Sequence, residues 1–269
     1  MSFENHNQFT PSADLTVTEI SQIRQVEADL DDLEQQAVVS FNSRDVRSRP
    51  FNLLRTQIVR KMREEKWKVM AVTSGAPNAG KSFVTANLAA ALGQLADLNV
   101  LVFDLDLRRA SLAQRMGMAQ SARPSAGMTD YLDGTVARVS DIGTKVMPLN
   151  VTLFPSRAAP VNSAELLIND RLPRLLDAIK ALPDDYIALL DLPPVFANDD
   201  AMAVIQHVDC YLFVIEEGIT TKTQVKDAMN LLSPAACIGT VLNRYVERSG
   251  DSYGYSDSYA HYYSDNAKK

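Results

Sequence analysis

Gly75-Ala-Pro-Asn-Ala-Gly80-Lys81-Ser82 separates an apolar run ending at Thr73 from the helical pattern SFVTANLAAALGQL, and this placement constrains the fold more than any other feature of the chain. The octapeptide fits G-x-x-x-x-G-K-[ST], a strand-to-helix turn whose backbone N–H groups and helix N-terminus surround a phosphate. Gly80 has no Cβ, so the main chain approaches that phosphate closely. Lys81 then reaches the outer phosphate oxygens, and the Ser82 hydroxyl is placed to ligate Mg²⁺. The expected nucleotide-binding stretch is therefore Gly75, Pro77, Asn78, Ala79, Gly80, Lys81, Ser82 and Phe83.

The rest of the sequence has the texture such a turn requires. Short apolar runs at Val69–Val72, Val100–Phe103, Val151–Phe154, Ile187–Leu190, Cys210–Ile215 and Ile238–Leu242 alternate with helical patterns. Unbroken apolar strands belong to a parallel sheet covered on both faces, so we read an α/β, doubly wound, mostly parallel domain over residues 46–246. A helix is expected over roughly 50–65, with Pro50 in its first turn and Phe51, Leu54, Ile58 and Met62 on one face. Residues 1–45 carry nine acids and two bases, which accounts for the net charge of -6. They read as a partly disordered segment with one amphipathic helix, marked by Ile23, Val26, Leu30, Leu33 and Ala37. Residues 247–269 (ERSGDSYGYSDSYAHYYSDNAKK from Glu247) have no aliphatic residue but alanine and read as a flexible tail. The acidic balance argues against nucleic acid as a partner. Two cysteines in apolar runs, no secretory leader and no long apolar span suggest a cytoplasmic protein.

Two further strands end in acids. VLVFD-L-D places Asp104 and Asp106 two residues apart, on one side of an extended chain. YIALLD ends in Asp191. Strands of a parallel sheet end at one edge, so the three acids are expected to converge where the phosphate loop opens, and there they call for a cation such as Mg²⁺. Arg108 and Arg109 follow the first pair and suit either a phosphate or a salt-bridged helix start. His6, His207 and His261 show no ligand spacing.

The phosphate loop GAPNAGKS, the acidic strand VLVFDLDLRR, the stretch NSAELL at 162–167, the strand LLDLPPV with Asp199 and Asp200 beyond it, and a terminal tyrosine cluster together resemble the bacterial tyrosine kinases of capsule and exopolysaccharide assembly, the BY-kinases of the CpsD/CapB and Wzc type. The resemblance covers roughly residues 48–269. It implies a P-loop NTPase with Walker A, A′ and B motifs that binds ATP and Mg²⁺. Lys81, Asp104 and Asp106 would be catalytic, with Asp104 orienting or deprotonating the incoming tyrosine and Asp106 supporting it. Ser82, Asp104 and Asp191 would hold the metal, and Asn243 in TVLNRY resembles an adenine-contacting asparagine, although a strand-end turn role reads nearly as well.

Six of nine tyrosines fall in the last 25 residues. The resemblance makes Tyr253, Tyr255, Tyr259, Tyr262 and Tyr263 the autophosphorylation sites, used in trans between copies of a homo-oligomer. It implies an integral-membrane polysaccharide co-polymerase or activator whose cytoplasmic segment docks on the chain, a cognate phosphotyrosine phosphatase, and a place at the inner face of the cell membrane. The pattern also departs from the family. The Glu-x-x-Arg-x-x-Arg helix used between ring subunits is here Arg49-Pro-Phe-Asn52-Leu-Leu-Arg55, with only the last Arg kept. The alternative is a MinD/ParA-type positioning ATPase. Those proteins carry a second loop lysine five residues before the invariant one, and that position here is Ala76.

Overall fold

The computed structural model describes residues 15–157 and 163–246. Its frame is one eight-stranded sheet in the order β1-β4-β5-β3-β6-β2-β7-β8. The strands are β1 (Gln25–Glu27), β2 (Val69–Ser74), β3 (Asn99–Asp104), β4 (Thr144–Met147), β5 (Val151–Phe154), β6 (Tyr186–Asp191), β7 (Cys210–Glu216) and β8 (Ala236–Asn243). β4 pairs antiparallel with β5, and β1 pairs parallel with β4, so these two run opposite to the other six. All six strands expected from the apolar runs are present, and the mostly parallel, doubly wound reading holds.

Helices α1 (Val17–Ser21), α2 (Leu30–Gln35), α3 (Arg49–Glu65), α4 (Lys81–Leu92), α5 (Leu112–Arg115), α6 (Met128–Leu132), α7 (Ser163–Ile168), α8 (Arg171–Ala181), α9 (Asp200–Ile205) and α10 (Lys222–Leu231) cover both faces. The alternation of each strand sorts its side chains between two cores. Val69, Ala71, Leu101 and Phe103 pack with Leu132, Leu167, Leu175, Val204 and Ala228. Met70, Val72, Val100 and Val102 pack with Leu33, Met62, Leu88 and Leu112 on the other side. The Phe103 and Phe154 rings stack at 4.4 Å, joining β3 to β5.

The N-terminal segment differs from its expectation. The single helix through Ile23, Val26, Leu30, Leu33 and Ala37 does not form: Gln25–Glu27 is a strand and only Leu30–Gln35 is helical. Asp29 caps the helix, its carboxylate accepting from Asp31 and Asp32 N–H. The three-and-four spacing of apolar residues therefore had two causes, a strand position and a helix face. Nor is the boundary at residue 45 a structural break, since β1 lies in the common sheet and Leu33 is fully buried in the common core. Asn87, a fully buried polar residue of α4, explains the docking. Its Oδ1 accepts from Val39 N–H at 3.0 Å and Ser40 Oγ at 2.9 Å, and its Nδ2 donates to Ala37 O at 3.0 Å. The expected disordered start falls largely outside the described residues.

α3 forms where expected, with Pro50 in its first turn. Arg55, the arginine kept from the family's inter-subunit pattern, donates through Nη1 to the carbonyl of Ala91 near the end of α4, 3.1 Å away. Leu33→Ala is expected to cost about 2–5 kcal/mol, because it empties a packed site rather than a loose segment. Urea denaturation of the full chain measures this, and an unchanged midpoint would return residues 15–45 to the status of an independent segment.

Candidate active site

The phosphate loop hangs from the end of β2 and closes onto α4. Asn78 (φ 66°) and Gly80 (φ 95°) both take left-handed backbone, which curls the loop back over the helix N-terminus. A Cβ on Gly80 would collide with Asn243 Nδ2. That amide donates to Ala79 O at 2.8 Å, so the end of β8 clamps the loop from the side. Asn243 thus ends β8 in a hydrogen bond that holds the loop, and it also lines the cavity over the loop. The loop is also tied to the chain after β6: Thr73 Oγ1 donates to Pro193 O at 2.8 Å, and Val195 N–H to Ser74 O at 2.9 Å.

A cavity of about 500 Å³ opens over this loop, lined by Asn78, Gly80, Lys81, Ser82 and Phe83, by Asp106, Arg109, Ser111 and Arg115 beyond β3, and by Asn243 and Arg244 at the end of β8. Gly75, Pro77 and Ala79 form the loop behind it and do not line it. Lys81 Nζ lies 3.9 Å from Asp106 Oδ2. Ser111, Arg115 and Arg244 were not singled out by sequence reading. Arg115 in particular carries no motif, and only the turn of α5 brings it to the cavity.

The three acids converge as expected, but not equivalently. β3 and β6 pair with Asp104 directly opposite Asp191. Both are buried, and Asp104 lies beneath the cavity lining while Asp106, in the turn after β3, is part of it. Asp104 Oδ2 accepts from Leu112 N–H at 3.0 Å, and Asp191 Oδ1 accepts from Thr85 Oγ1 at 3.1 Å. The other oxygen of each, Asp104 Oδ1 and Asp191 Oδ2, is buried without a partner. Burial first, and then the facing Asp191 carboxylate, push the Asp104 pKa well above the usual range. Burial also raises Asp191 to about 6, against the pull of Lys81 and the nearby Ser82 and Thr85 hydroxyls. Desolvation raises Asp106 as well, opposed by Lys81 and then Arg109.

Two orphaned carboxylate oxygens beside a serine hydroxyl fit a hard cation. Among the described residues no three His, Cys, Asp or Glu side chains are grouped as a metal cage. The set suits Mg²⁺, which keeps several waters and takes its remaining oxygens from one or two carboxylates and the substrate phosphates.

The two arginines after β3 divide. Arg108 Nε donates to Ser163 Oγ at 2.9 Å, and Ser163 Oγ donates to the buried Asp200 at 2.7 Å, so NSAELL and the acids beyond β6 meet in one network behind the site. Arg109 lines the cavity and donates to Asn78 Oδ1 at 2.9 Å.

A parallel sheet whose inner strand feeds a phosphate loop, with acids at the ends of the neighbouring strands, is the site of a P-loop nucleotide-binding protein. Comparison with known proteins narrows this. The ParA family model, described as a NUBPL iron-transfer P-loop NTPase, matches residues 66–233. Tyrosine-protein kinase CpsD of Streptococcus agalactiae serotype III (strain NEM316) is 30% identical over 209 residues, 76% of this chain and 84% of that protein. Tyrosine-protein kinase Etk of Escherichia coli (strain K12) is 30% identical over 209 residues, 75% of this chain and 27% of that protein, so the chain spans little more than a quarter of such longer relatives. The solved kinase domain of Escherichia coli Etk superposes with a TM-score of 0.70 at 27% identity, covering 80% of this chain and 83% of that domain. The chain belongs to the ParA-type P-loop NTPases and, within them, to the tyrosine-protein kinase family of CpsD and Etk.

Raised carboxyl pKa values make the metal-free protein pH-sensitive in a defined direction. Between the unfolded carboxyl pKa of 3.8 and about 6 for Asp191, the folded state holds a proton that the unfolded state has released. The stability contributed by that proton is present at low pH and lost as pH rises through this window. The thermal midpoint without Mg²⁺ or nucleotide is expected to fall as pH rises from about 4 to about 6, and Asp104→Asn, which removes one of the facing charges, to shrink that fall. Scanning fluorimetry across the range checks both.

Proposed function

We propose that the chain is an Mg-ATP-dependent protein-tyrosine kinase that phosphorylates the C-terminal tyrosine cluster of a neighbouring copy, and through it regulates capsule or exopolysaccharide polymerisation and export. The observation that carries this reading is the juxtaposition of Lys81 with Asp106 on the cavity wall, above the buried Asp104–Asp191 pair, in a chain of the tyrosine-protein kinase family. The MinD/ParA-type alternative shares the fold and the family model. It lacks support from the loop, where Ala76 stands in place of the second lysine, and from the relative CpsD, matched over 84% of its length and named a tyrosine-protein kinase.

In this reading the loop N–H groups and Lys81 bind the phosphates of ATP, while Ser82, Asp104 and Asp191 hold Mg²⁺, which neutralises charge on the outer phosphates when bound. Of the two buried acids only Asp106 lines the cavity, and on that difference we divide their roles. Asp104 serves the metal from beneath, and Asp106, which faces the cavity, orients the phenol. The phenolic oxygen attacks the γ-phosphorus as the bond to the β-phosphate oxygen breaks. ADP leaves, and the phenol proton passes to Asp106 or to water. Phosphoryl transfer asks mainly for alignment and charge stabilisation, so a carboxylate far below the phenol in pKa suffices as the orienting group.

Tyr253, Tyr255, Tyr259, Tyr262 and Tyr263 lie outside the described residues and enter as the proposed substrates. A membrane co-polymerase with a cytoplasmic segment is the proposed activator, which would place the kinase at the inner face of the membrane, and a phosphotyrosine phosphatase would reset the cluster. No helix among the described residues is long and apolar enough to cross a membrane. Docking on such a partner raises the effective concentration of one copy's tail at the next copy's site.

Incubation of the purified chain with Mg-ATP, followed by peptide mass spectrometry, is expected to place phosphotyrosine within residues 245–263. Lys81→Met is expected to abolish it; the variant also loses the charge facing buried Asp106, so its fold is checked by its thermal midpoint, and undiminished phosphotyrosine in that variant would remove the loop from the reaction. Transfer in trans also makes the rate per molecule rise with protein concentration, and a concentration-independent rate would mean transfer within one copy.

A further inference from the structure

Four cationic side chains line the cavity, and three of them already have partners. Lys81 stands against Asp106 at 3.9 Å, Arg109 donates to the Asn78 side chain at 2.9 Å, and Arg244 is paired with Glu216 at 2.6 Å. Arg115 differs. It is half-buried, its Nε is shut off from water with no acceptor, and among the described residues its guanidinium forms no ion pair. A buried donor without an acceptor is costly, and an oxyanion arriving from solution relieves that cost. The planar guanidinium offers such an anion two parallel N–H bonds, a match for phosphate.

Its placement selects which phosphate. The loop rises from β2 in the middle of the sheet, with β3 to one side across β6 and β8 to the other across β7. Asn243 and Arg244 approach from the β8 side. Arg115 approaches from the β3 side, on a helix anchored by the bond from Leu112 N–H to Asp104 Oδ2. Burial lowers its pKa while the charge of Asp191 acts in the opposite sense, so the guanidinium lies within electrostatic reach of Asp191, one of the acid pair. That pair marks the metal end of the site, where a triphosphate carries its last phosphate and a diphosphate carries none.

We propose that Arg115 binds the terminal phosphate of a nucleoside triphosphate from the β3 side of the cleft, and so sets the preference of the chain for triphosphate over diphosphate. The assignment rests on the reading of the cavity as the nucleotide site. In catalysis the same contact would stabilise charge on the phosphoryl group in transit.

The test is equilibrium binding of ATP and of ADP to the full chain with Mg²⁺, comparing wild type with Arg115→Gln, Arg115→Lys and Lys81→Met, together with the thermal midpoints of the nucleotide-free proteins. Arg115→Gln is expected to weaken ATP about ten- to a hundredfold, the range of a lost charge-assisted hydrogen bond, and to change ADP by less than about twofold. Arg115→Lys is expected to recover part of the loss. The nucleotide-free midpoint of Arg115→Gln should equal or exceed that of wild type, because an unpaired buried donor has been removed. Equal losses for ATP and ADP, an unchanged ATP affinity, or a lowered nucleotide-free midpoint in Arg115→Gln would each overturn the assignment. A wild-type protein that binds neither nucleotide would instead overturn the nucleotide reading, and this inference with it.

Discussion

Asp104 and Asp191 face each other across two paired strands, both buried and each with one oxygen left without a partner. Two like charges withdrawn from water in one place are unfavourable, and the fold holds them there through the rigidity of its sheet. The register of β3 against β6 fixes their separation, while Leu112 N–H and Thr85 Oγ1 take up one oxygen of each. Neither bond supplies a full positive charge. Lys81 and Arg115 both act on Asp191, but Lys81 also faces Asp106, so the site is stabilised further by whatever positive charge enters with the phosphates. A protein arranged this way is strained toward binding: the same burial that destabilises the metal-free state makes a cation worth more on arrival.

The loop above this pair owes its shape to contacts from distant parts of the chain. Asn243 holds Ala79 from the end of β8, and the turn after β6 holds Thr73 and Ser74. Any change in the strands beside β2 is therefore felt at the loop. α4, which begins in the loop, is also the helix whose Asn87 gathers Ala37, Val39 and Ser40. The acidic N-terminal segment is in this way coupled through a single helix to the phosphate site, rather than attached to the domain's surface.

Family membership and structure bear on assembly together. The inter-subunit pattern of the family is reduced here to Arg55, and Arg55 is engaged with Ala91 O inside its own chain. Arg108, Ser163 and Asp200 form a network behind the site that binds the chain after β3 to the first residues of α7 and α9. These ties join α3 to α4, and the turn after β3 to α7 and α9, within one copy.

The phosphate loop, the six apolar strands and the acids at or just past the ends of two of them were legible in the sequence because each is local: a motif of fixed spacing, an unbroken apolar run, an acid where that run stops. The N-terminal segment was misread because its periodicity was shared between a three-residue strand and a six-residue helix, and only pairing with β4 separates the two. β4 itself, the strand that turns the sheet antiparallel, carries a lysine and a threonine and shows no apolar run. The difference between Asp104 and Asp106 was likewise hidden, because i and i+2 share a side only while the chain stays extended, and β3 ends at Asp104. Arg115 had no signature at all. Its role depends on which side chains arrive with a counter-charge and which do not, and that is decided by tertiary packing, where burial removes the water that would otherwise satisfy every charge alike.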